Sequence, residues 1–502
     1  MQSQLDLPKG WAYFTLYDIA SNEKNAIKRG PFGSAIKKEY FEPSGYKVYQ
    51  QQNAIYNDFF TGKYYIGEKK FQELKDFELK PGDLLISCSG TIGKIALVPD
   101  NIQRGIINQA LLKITLDSRI VFAKYFSYLF GSVSFQKKVL KNTCGTAIKN
   151  ITSVKDLKLM PLPIPPINEQ YRIISKVEEL FSFLDAGTDS LRRVQAQLKR
   201  YRQAVLKYAF DGKLTEDWRR AHKDQIESAQ KALEGASLQL SKKQNTQTKS
   251  EIGSEIPVLP DGWVHARLEN FIYIAARIGW RGLKADEYTE VGPLFLSVYN
   301  LNKGNIVDLS ETYHISEERY SESPEIQLRN DDILLAKDGA GIGKIGIVQG
   351  LTVKATVNSS LLVIRSGLAF KPKFLFYFFK GPRMQELVKS RITGSATPHL
   401  FQRDIRKFDL LIPPLLEQEQ IIAEIESRFS VVDQVENIGR MSVKQAGHLR
   451  QTILKDAFDG KLVSQDSNDQ PAEELLECIK AECLSNRNSR SNNQLELSRY
   501  VK

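Results

Sequence analysis

The chain has 502 residues, 42% of them hydrophobic and 26% charged, a length that at ~100–200 residues per domain supports about two to four globular units. Its 70 Lys and Arg against 59 Asp and Glu leave a net charge of +11, which points to a polyanion, nucleic acid first, as partner. Four scattered cysteines, an opening MQSQLDLPKGW with neither a basic region nor an apolar stretch, and no apolar run near the ~18 residues of a membrane span argue against disulfide-scaffold, secreted and membrane classes and for the cytoplasm.

From Trp11 to about Leu162 the sequence is rich in β-branched and aromatic residues and punctuated by Gly and Pro, the pattern of strands with some helix. PLPIPP at Pro161 to Pro166 ends this part, because proline removes a ladder donor and pushes the residue before it out of the helical region. A helix is predicted from Glu169 to Phe210, ~63 Å long at 1.5 Å per residue. Ile173, Val177, Leu180, Leu184, Leu191, Val194, Leu198, Tyr201 and Val205 step along it by threes and fours, with Gly187 in the one gap, a heptad seam that needs a partner helix. AFDGKL from Ala209 stops the helix at glycine, and a linker with a short helix around Gln225 to Leu240 follows.

The whole pattern then returns in the same order. LPKGW from Leu7 becomes LPDGW from Leu259, and DLLISCSGTIGKIALV from Asp83 becomes DILLAKDGAGIGKIGIV from Asp332. NQALL from Asn108 becomes NSSLL from Asn358, IPPINEQ from Ile164 becomes IPPLLEQ from Ile412, and AFDGKL recurs from Ala457. A duplicated half accounts for this and predicts pseudo-two-fold symmetry. In the second long helix Ile421, Ile425, Val432, Val435, Leu449 and Ile453 take the equivalent positions, interrupted at Arg428, Gly439, Ser442 and Ala446, the small residues allowing close backbone approach. If a two-fold relates the copies, the helices run antiparallel with a globular domain at each end; the linker could span a parallel arrangement as well, but that would crowd both domains together, so the antiparallel one is favoured. The expected fold is therefore α+β: two similar mixed α/β domains separated by an antiparallel two-helix coiled coil. Its expected segments are 1–162, a first domain; 163–215, a first spacer helix; 216–256, a linker; 257–411, a second domain; 412–484, a second spacer helix; and 485–502, a disordered tail.

Catalytic motifs fail on inspection. GTIGK at Gly90 to Lys94 and GAGIGK at Gly339 to Lys344 look like phosphate loops, but the spacing is too short and Ile95 or Ile345 stands where Ser or Thr would hold magnesium. GIGKIG from Gly341 has dinucleotide-type glycine spacing but leads into more β-branched sequence. Both segments read as hairpin turns between buried strands. His222, His265, His314, His399 and His448 lie in unrelated contexts, so no metal site is predicted, and Cys478 and Cys483 read as small apolar residues of an amphipathic helix. The Pro-Pro pairs follow Ile, not the Asn or Asp of an amino-methyltransferase motif.

LPKGW and LPDGW, GPFGSAIKK from Gly30, the GTIGKIALV segment, the loops GTAIKNIT and GSATPHLFQRDI, IPPINEQ and IPPLLEQEQIIAEIE, the paired AFDGKL and PAEELLECIKAE together resemble the specificity (S) subunit of type I restriction-modification enzymes. The resemblance implies two target-recognition domains, each followed by a conserved helix, with the two helices in an antiparallel coiled coil. It also implies two adenine-methyltransferase (M) subunits and restriction-translocase (R) subunits as partners, and no chemistry or cofactor on this chain. S-adenosylmethionine, ATP and magnesium would sit on the partners.

On this reading each domain recognises half of an asymmetric, bipartite double-stranded DNA target and the helices set the gap. Phosphates take Lys and Arg, while base edges take exposed bidentate side chains. The candidates are Arg29, Lys37, Lys38, Gln51, Gln52, Asn53, Lys94, Arg104, Lys149 and Asn150 in the first domain, and Arg277, Arg281, Asn300, Lys337, Lys344, Arg391, Thr397, His399 and Arg403 in the second. Asn108 and Asn358 read as turn or core polar residues. Glu169-Gln170 and Glu417-Gln418 read as helix-start caps. The alternatives are a coiled-coil scaffold that binds DNA without base recognition, and a single-chain restriction-modification enzyme, which the missing motifs oppose.

Overall fold

A computed structural model of the chain describes residues 7–140, 154–240, 259–277, 283–393 and 399–482. The chain divides into two units, Met1–Leu191 with Met441–Lys502, and Arg192–Arg440. The predicted tail lies outside the described residues.

In the first unit four strands pair antiparallel in the order Ile27–Arg29, Leu111–Ile114, Leu84–Ser87, Ile95–Leu97. A second sheet runs Phe41–Glu42, Tyr65–Ile66, Tyr46–Tyr49, Gly105–Ile107, its last pair parallel. The second unit repeats the first sheet as Ile272–Ala276, Leu361–Ser366, Ile333–Ala336, Ile345–Ile347. Its other sheet keeps the same parallel pairing, between Thr289–Leu296 and Ala355–Val357. The central strands are mostly apolar on both faces because both faces are covered, with Ser87 and Lys113 the buried polar exceptions in the first unit. Leu84 and Ile86 join a core with Leu112 and Ile114, while Leu85 joins another with Ala96 and Ile107. Ile333 and Leu335 are likewise split from Leu334 and Ala336. The two globular parts are one topology used twice.

The long helices span Ile167–Phe210 and Leu415–Phe458, 44 residues each. Each unit holds the start of one and the end of the other. They run antiparallel in both. In the first unit Asp185 pairs with Arg450, and Leu180 and Leu184 pack on the core that contains Ile453 and Ala457. In the second, Arg202 reaches Asp433 at 2.6 Å and Glu436 at 3.2 Å, and Gly439 lies against Gln195.

The seam differs from the expected one at its middle. Val194 and Tyr201 are exposed, as are Val435 and Leu449, whereas Thr188, Gln195 and Arg202 are partly covered along with Leu184, Leu191 and Leu198. Stepping alternately by four and three from Leu184 lands on Thr188, not on Gly187. Gly439 is buried and Ala446 partly covered, so these small residues belong to the contact face rather than interrupting it. The apolar burial sits at the helix ends, at Ile173, Val177 and Ile453 in one unit and Val205, Ile421 and Ile425 in the other.

Those ends are built from the repeated motifs. A two-stranded antiparallel pair, Ala12–Phe14 with Leu162–Ile164, brings the LPKGW tryptophan beside the start of the first long helix. There the Trp11 indole donates to Glu169 Oε1 at 3.0 Å, and both residues are buried. Gln170 donates Nε2 to the carbonyls of Ile120 (2.9 Å) and Pro165 (3.0 Å) and accepts from Phe122 N at 2.8 Å. In the second unit Val264–Arg267 pairs with Asp409–Ile412. Trp263 donates to Glu417 Oε2 at 2.8 Å, and Gln418 bonds Ala369 O, Pro413 O and Lys371 N. The Glu-Gln pairs therefore fasten helix to domain, a larger role than capping. Burial raises the Glu169 carboxyl above the usual carboxylate range, with the Trp11 hydrogen bond opposing the rise.

The AFDGKL motifs complete the same junctions. Gly460 lies at φ +69° against Pro8 and Trp11, and Gly212 at φ +73° against Pro260 and Trp263, with no room for a Cβ in either place. The linker helix Ala229–Leu240 starts with Ala229 N donating to Gly262 O at 3.0 Å. Helical residues 472–482 start the same way, Ala472 N to Gly10 O at 3.0 Å. The linker helix and PAEELLECIKAE are thus equivalent parts of the repeat. The second junction also takes in Arg219 Nε, 3.0 Å from Glu417 Oε1, and Thr215 Oγ1 at 2.7 Å.

Replacing Gly460 or Gly212 by Ala should destabilise the protein by about 1–3 kcal/mol, since each combines a positive φ with a collision against proline; thermal unfolding of the full chain measures it. Glu417→Ala should cost more, about 3–5 kcal/mol, because it strands the buried Arg219 guanidinium. Glu169→Ala, which releases one indole, should cost about 1–3 kcal/mol in the same assay.

Candidate nucleic-acid interface

In each globular part some candidate residues lie on loops that leave the antiparallel four-stranded sheet, while Gln51, Gln52, Asn53, Arg391 and Arg403 lie on helices. In the first, Arg29 is exposed at a strand end and leads into Gly30-Pro31-Phe32, and Lys37 and Lys38 are exposed on the short turn that follows. A cleft of about 830 Å³ opens there, lined by Lys28, Arg29, Phe32, Ser34, Phe77 and Gln109 among others. The GTIGK segment is a turn joining Leu84–Ser87 to Ile95–Leu97, with Gly90 and Gly93 at positive φ and Lys94 exposed. A strand follows it, not a phosphate-binding helix, and GAGIGK likewise joins the equivalent pair in the second unit. Gln51 ties that first turn down, its Nε2 donating to the carbonyls of Ser89 and, at 3.0 Å, Thr91, while Gln52 is exposed.

In the second unit a cleft of about 350 Å³ is lined by Arg277, Lys337, His399, Phe401 and Arg403 with neighbouring residues. Lys337 Nζ lies 2.7 Å from Asp338, and His399 Nδ1 meets the same carboxylate. The Arg403 guanidinium sits over the Phe401 ring at 4.6 Å, and Arg391 reaches Asp404 at 2.6 Å. Lys344 is exposed, its Nζ 2.6 Å from Asn302 Oδ1.

Three candidates are not exposed, contrary to expectation. Asn53 is buried, accepting from Gln50 N at 2.7 Å and donating to Asp58 O and Thr61 O at 2.6 and 3.1 Å. Asn300 repeats this with Ser297 N, Asp308 O and Glu311 O. Both asparagines brace a loop and have no donor left for a base. Arg277 is buried against the Phe295 ring with Nε on Val357 O at 3.1 Å, and burial pulls its guanidinium below the usual range. Its charge reaches the cleft from beneath, not from the surface. Arg104 is exposed but occupied, held 2.9 Å from Glu78 and above the Phe71 ring. Lys149, Asn150, Arg281 and Thr397 lie outside the described residues, as do all of GTAIKNIT and the GSATP part of GSATPHLFQRDI.

Asn108 and Asn358 are turn residues: each side-chain oxygen accepts a backbone N–H two positions on, at 3.1 Å. Cys88 is buried and burial pushes its thiol up to about 12. Phe32, Gln109, Phe401 and Gln402 belong to the clefts although sequence reasoning passed over them. Aromatic residues are usually core, so only the repeat, which places an aromatic beside each of Arg29 and Arg277, carried a hint.

Comparison with known proteins decides the family. The model of the type I restriction modification DNA specificity domain matches twice, over residues 8–199 and 260–439. The chain belongs to that family. It is 26% identical to the type I restriction enzyme EcoBI specificity subunit of Escherichia coli, over 84% of this chain and 83% of that protein. It is 25% identical to the StySPI specificity subunit of Salmonella potsdam, over 95% and 96%. The fold is similar to the HsdS subunit from Thermoanaerobacter tengcongensis, with a TM-score of 0.51, 17% identity and coverage of 92% of this chain and all of that one. The chain is thus a specificity subunit, a DNA-recognition component and not a catalytic one. Among the described residues no group of three or more His, Cys, Asp or Glu is placed to hold a metal, and no helix is long and apolar enough to cross a membrane.

Asn53→Ala and Asn300→Ala should each lower stability by about 1–3 kcal/mol by leaving backbone groups unpaired. They should weaken DNA binding only in step with the unfolded fraction, and binding measured well below the unfolding transition should stay near wild type.

Proposed function

We propose that this subunit recognises an asymmetric, bipartite duplex target, one half-site per globular domain, with the paired long helices setting the gap. The observation that carries this reading is one topology present twice, each copy attached to equal 44-residue helices through the same buried junction, with different residues on its loops. At 1.5 Å per residue each helix is ~66 Å long, close to two turns of B-DNA. Phosphate contacts from the excess of Lys and Arg supply affinity, and divergent loops supply two different half-sites. Arg29, Lys37, Lys38, Gln52 and Lys94, and Lys337, Lys344, His399 and Arg403, are the exposed or cleft-lining candidates that remain in place for this. The functional segments are 1–162 and 257–411 for recognition and 163–215 and 412–484 for spacing.

The equal junctions support attachment of two M subunits, with R subunits joining the complete complex. S-adenosylmethionine, ATP and magnesium belong to those partners, and the assembly works in the cytoplasm. Co-expression of the chain with its methyltransferase, followed by mapping of adenine methylation across the host genome, should yield a single motif of two unlike halves separated by a gap of fixed length. Methylation without such a motif rejects the proposal. Inserting seven residues into each long helix at facing positions should lengthen the gap and leave both halves unchanged.

A further inference from the structure

Phe32 is the most exposed large hydrophobic side chain among the described residues, at 90%. The backbone that carries it is fixed on both sides. Arg29 ends a strand in register with Leu112, and Gly30 donates to Leu111 O at 2.8 Å while lying so close to Asn108 O that no Cβ fits. Pro31 is buried, and beyond it Ala35 N returns to Phe32 O at 2.8 Å as Gly33–Ala35 forms a tight turn. The ring is therefore held in water by a well-anchored loop. Hydrophobic burial would favour folding it inward, so its presentation points to a partner surface.

The surroundings select the partner. The cleft beside the ring has Lys28 and Arg29 on its walls, Phe77 and Leu74 among its apolar lining, and no carboxylate. Lys28 also reaches Asp76 at 3.8 Å. Cations next to an aromatic ring match a phosphate backbone next to stacked bases. In the second copy Arg277 aligns with Arg29 and Trp280, outside the described residues, aligns with Phe32, so a loop otherwise rewritten keeps an aromatic at this position.

We propose that Phe32 wedges between two stacked base pairs of the half-site read by the first domain, with Arg29 on a neighbouring phosphate. The ring contributes through stacking, which every base offers, and through the cost of unstacking, which is lowest at flexible pyrimidine–purine steps. Phe32 thereby selects a deformable step without a hydrogen bond to any base. This inference rests on the DNA-recognition reading above.

The test uses the full chain assembled with its methyltransferase partner and a duplex selected by that wild-type assembly from a random pool. Phe32→Ala should weaken binding to the selected duplex about tenfold and Phe32→Trp by less than about threefold. The salt dependence should be unchanged, because no phosphate contact is lost. A fluorescent adenine analogue placed at successive steps should brighten at one step with wild type and at none with Phe32→Ala. Binding by Phe32→Ala within about twofold of wild type, or an analogue dark at every step, overturns the wedge while leaving sequence recognition standing. Loss of the methyltransferase from Phe32→Ala without DNA present also overturns it, assigning the ring to a protein interface. If the wild-type assembly selects no sequence from the pool, the recognition reading falls first and the wedge with it. Because Phe32 is exposed, unfolding temperatures of the variants should match wild type.

Discussion

A carboxylate withdrawn from water has to find donors nearby, and Glu169 and Glu417 find theirs in the indoles of Trp11 and Trp263. That requirement organises everything around it. The tryptophan is placed by the first strand of a domain, the glutamate by the first turn of a long helix, and the two-stranded pair holds them together. The adjacent glutamine is bonded to three backbone groups of the domain, so helix and domain share one dry seam. The glycine of AFDGKL closes the junction from the other long helix. Three motifs that are far apart in the sequence are one structural object, which explains why all three recur almost letter for letter.

Outside that object the copies drift, and they drift in a particular way. The loop braces Asn53 and Asn300 keep both identity and hydrogen-bond pattern. Asp83 and Asp332 each accept the backbone N–H three residues earlier at 2.9 Å. By contrast Cys88, buried in the first copy, corresponds to Lys337 on a cleft wall in the second. Gln51 bonds the first hairpin turn, whereas the second copy joins the corresponding parts through Lys344 and Asn302. The framework is held by buried polar groups that cannot change without loss, and the surfaces proposed to read DNA sit just beyond the last of them.

Repetition made the architecture readable in advance. Two occurrences of each motif predict antiparallel helices, and the long helix begins at Ile167, two residues from its expected start. Hydrophobicity alone misphases the seam: Thr188, Gln195 and Arg202 occupy contact positions, whereas the apolar Val194 and the aromatic Tyr201 are exposed. The candidate site was less accessible for a related reason. Polarity suggests exposure, but Asn53, Asn300 and Arg277 are polar groups whose partners come from distant strands and loops, and those partners are invisible until the chain is folded. Phe32 errs in the opposite direction, an aromatic that a composition-based reading places in the core.

The thinness of the helical seam bears on what the helices can do. Two helices alone cover little apolar surface, and here the contact face toward the middle is shared between Leu191 and Leu198 and the polar Thr188, Gln195 and Arg202, all only partly covered, so the pairing within each unit depends on the junction there and on a few polar contacts. Such contacts add little stability when exposed, but they are directional. Arg202 with Asp433 and Glu436, and Asp185 with Arg450, are satisfied in one register, and sliding one helix by a turn separates every pair. An apolar seam of uniform leucines would tolerate that slip far better. Helices whose register comes from ion pairs of this kind keep their pairing only when both are lengthened together.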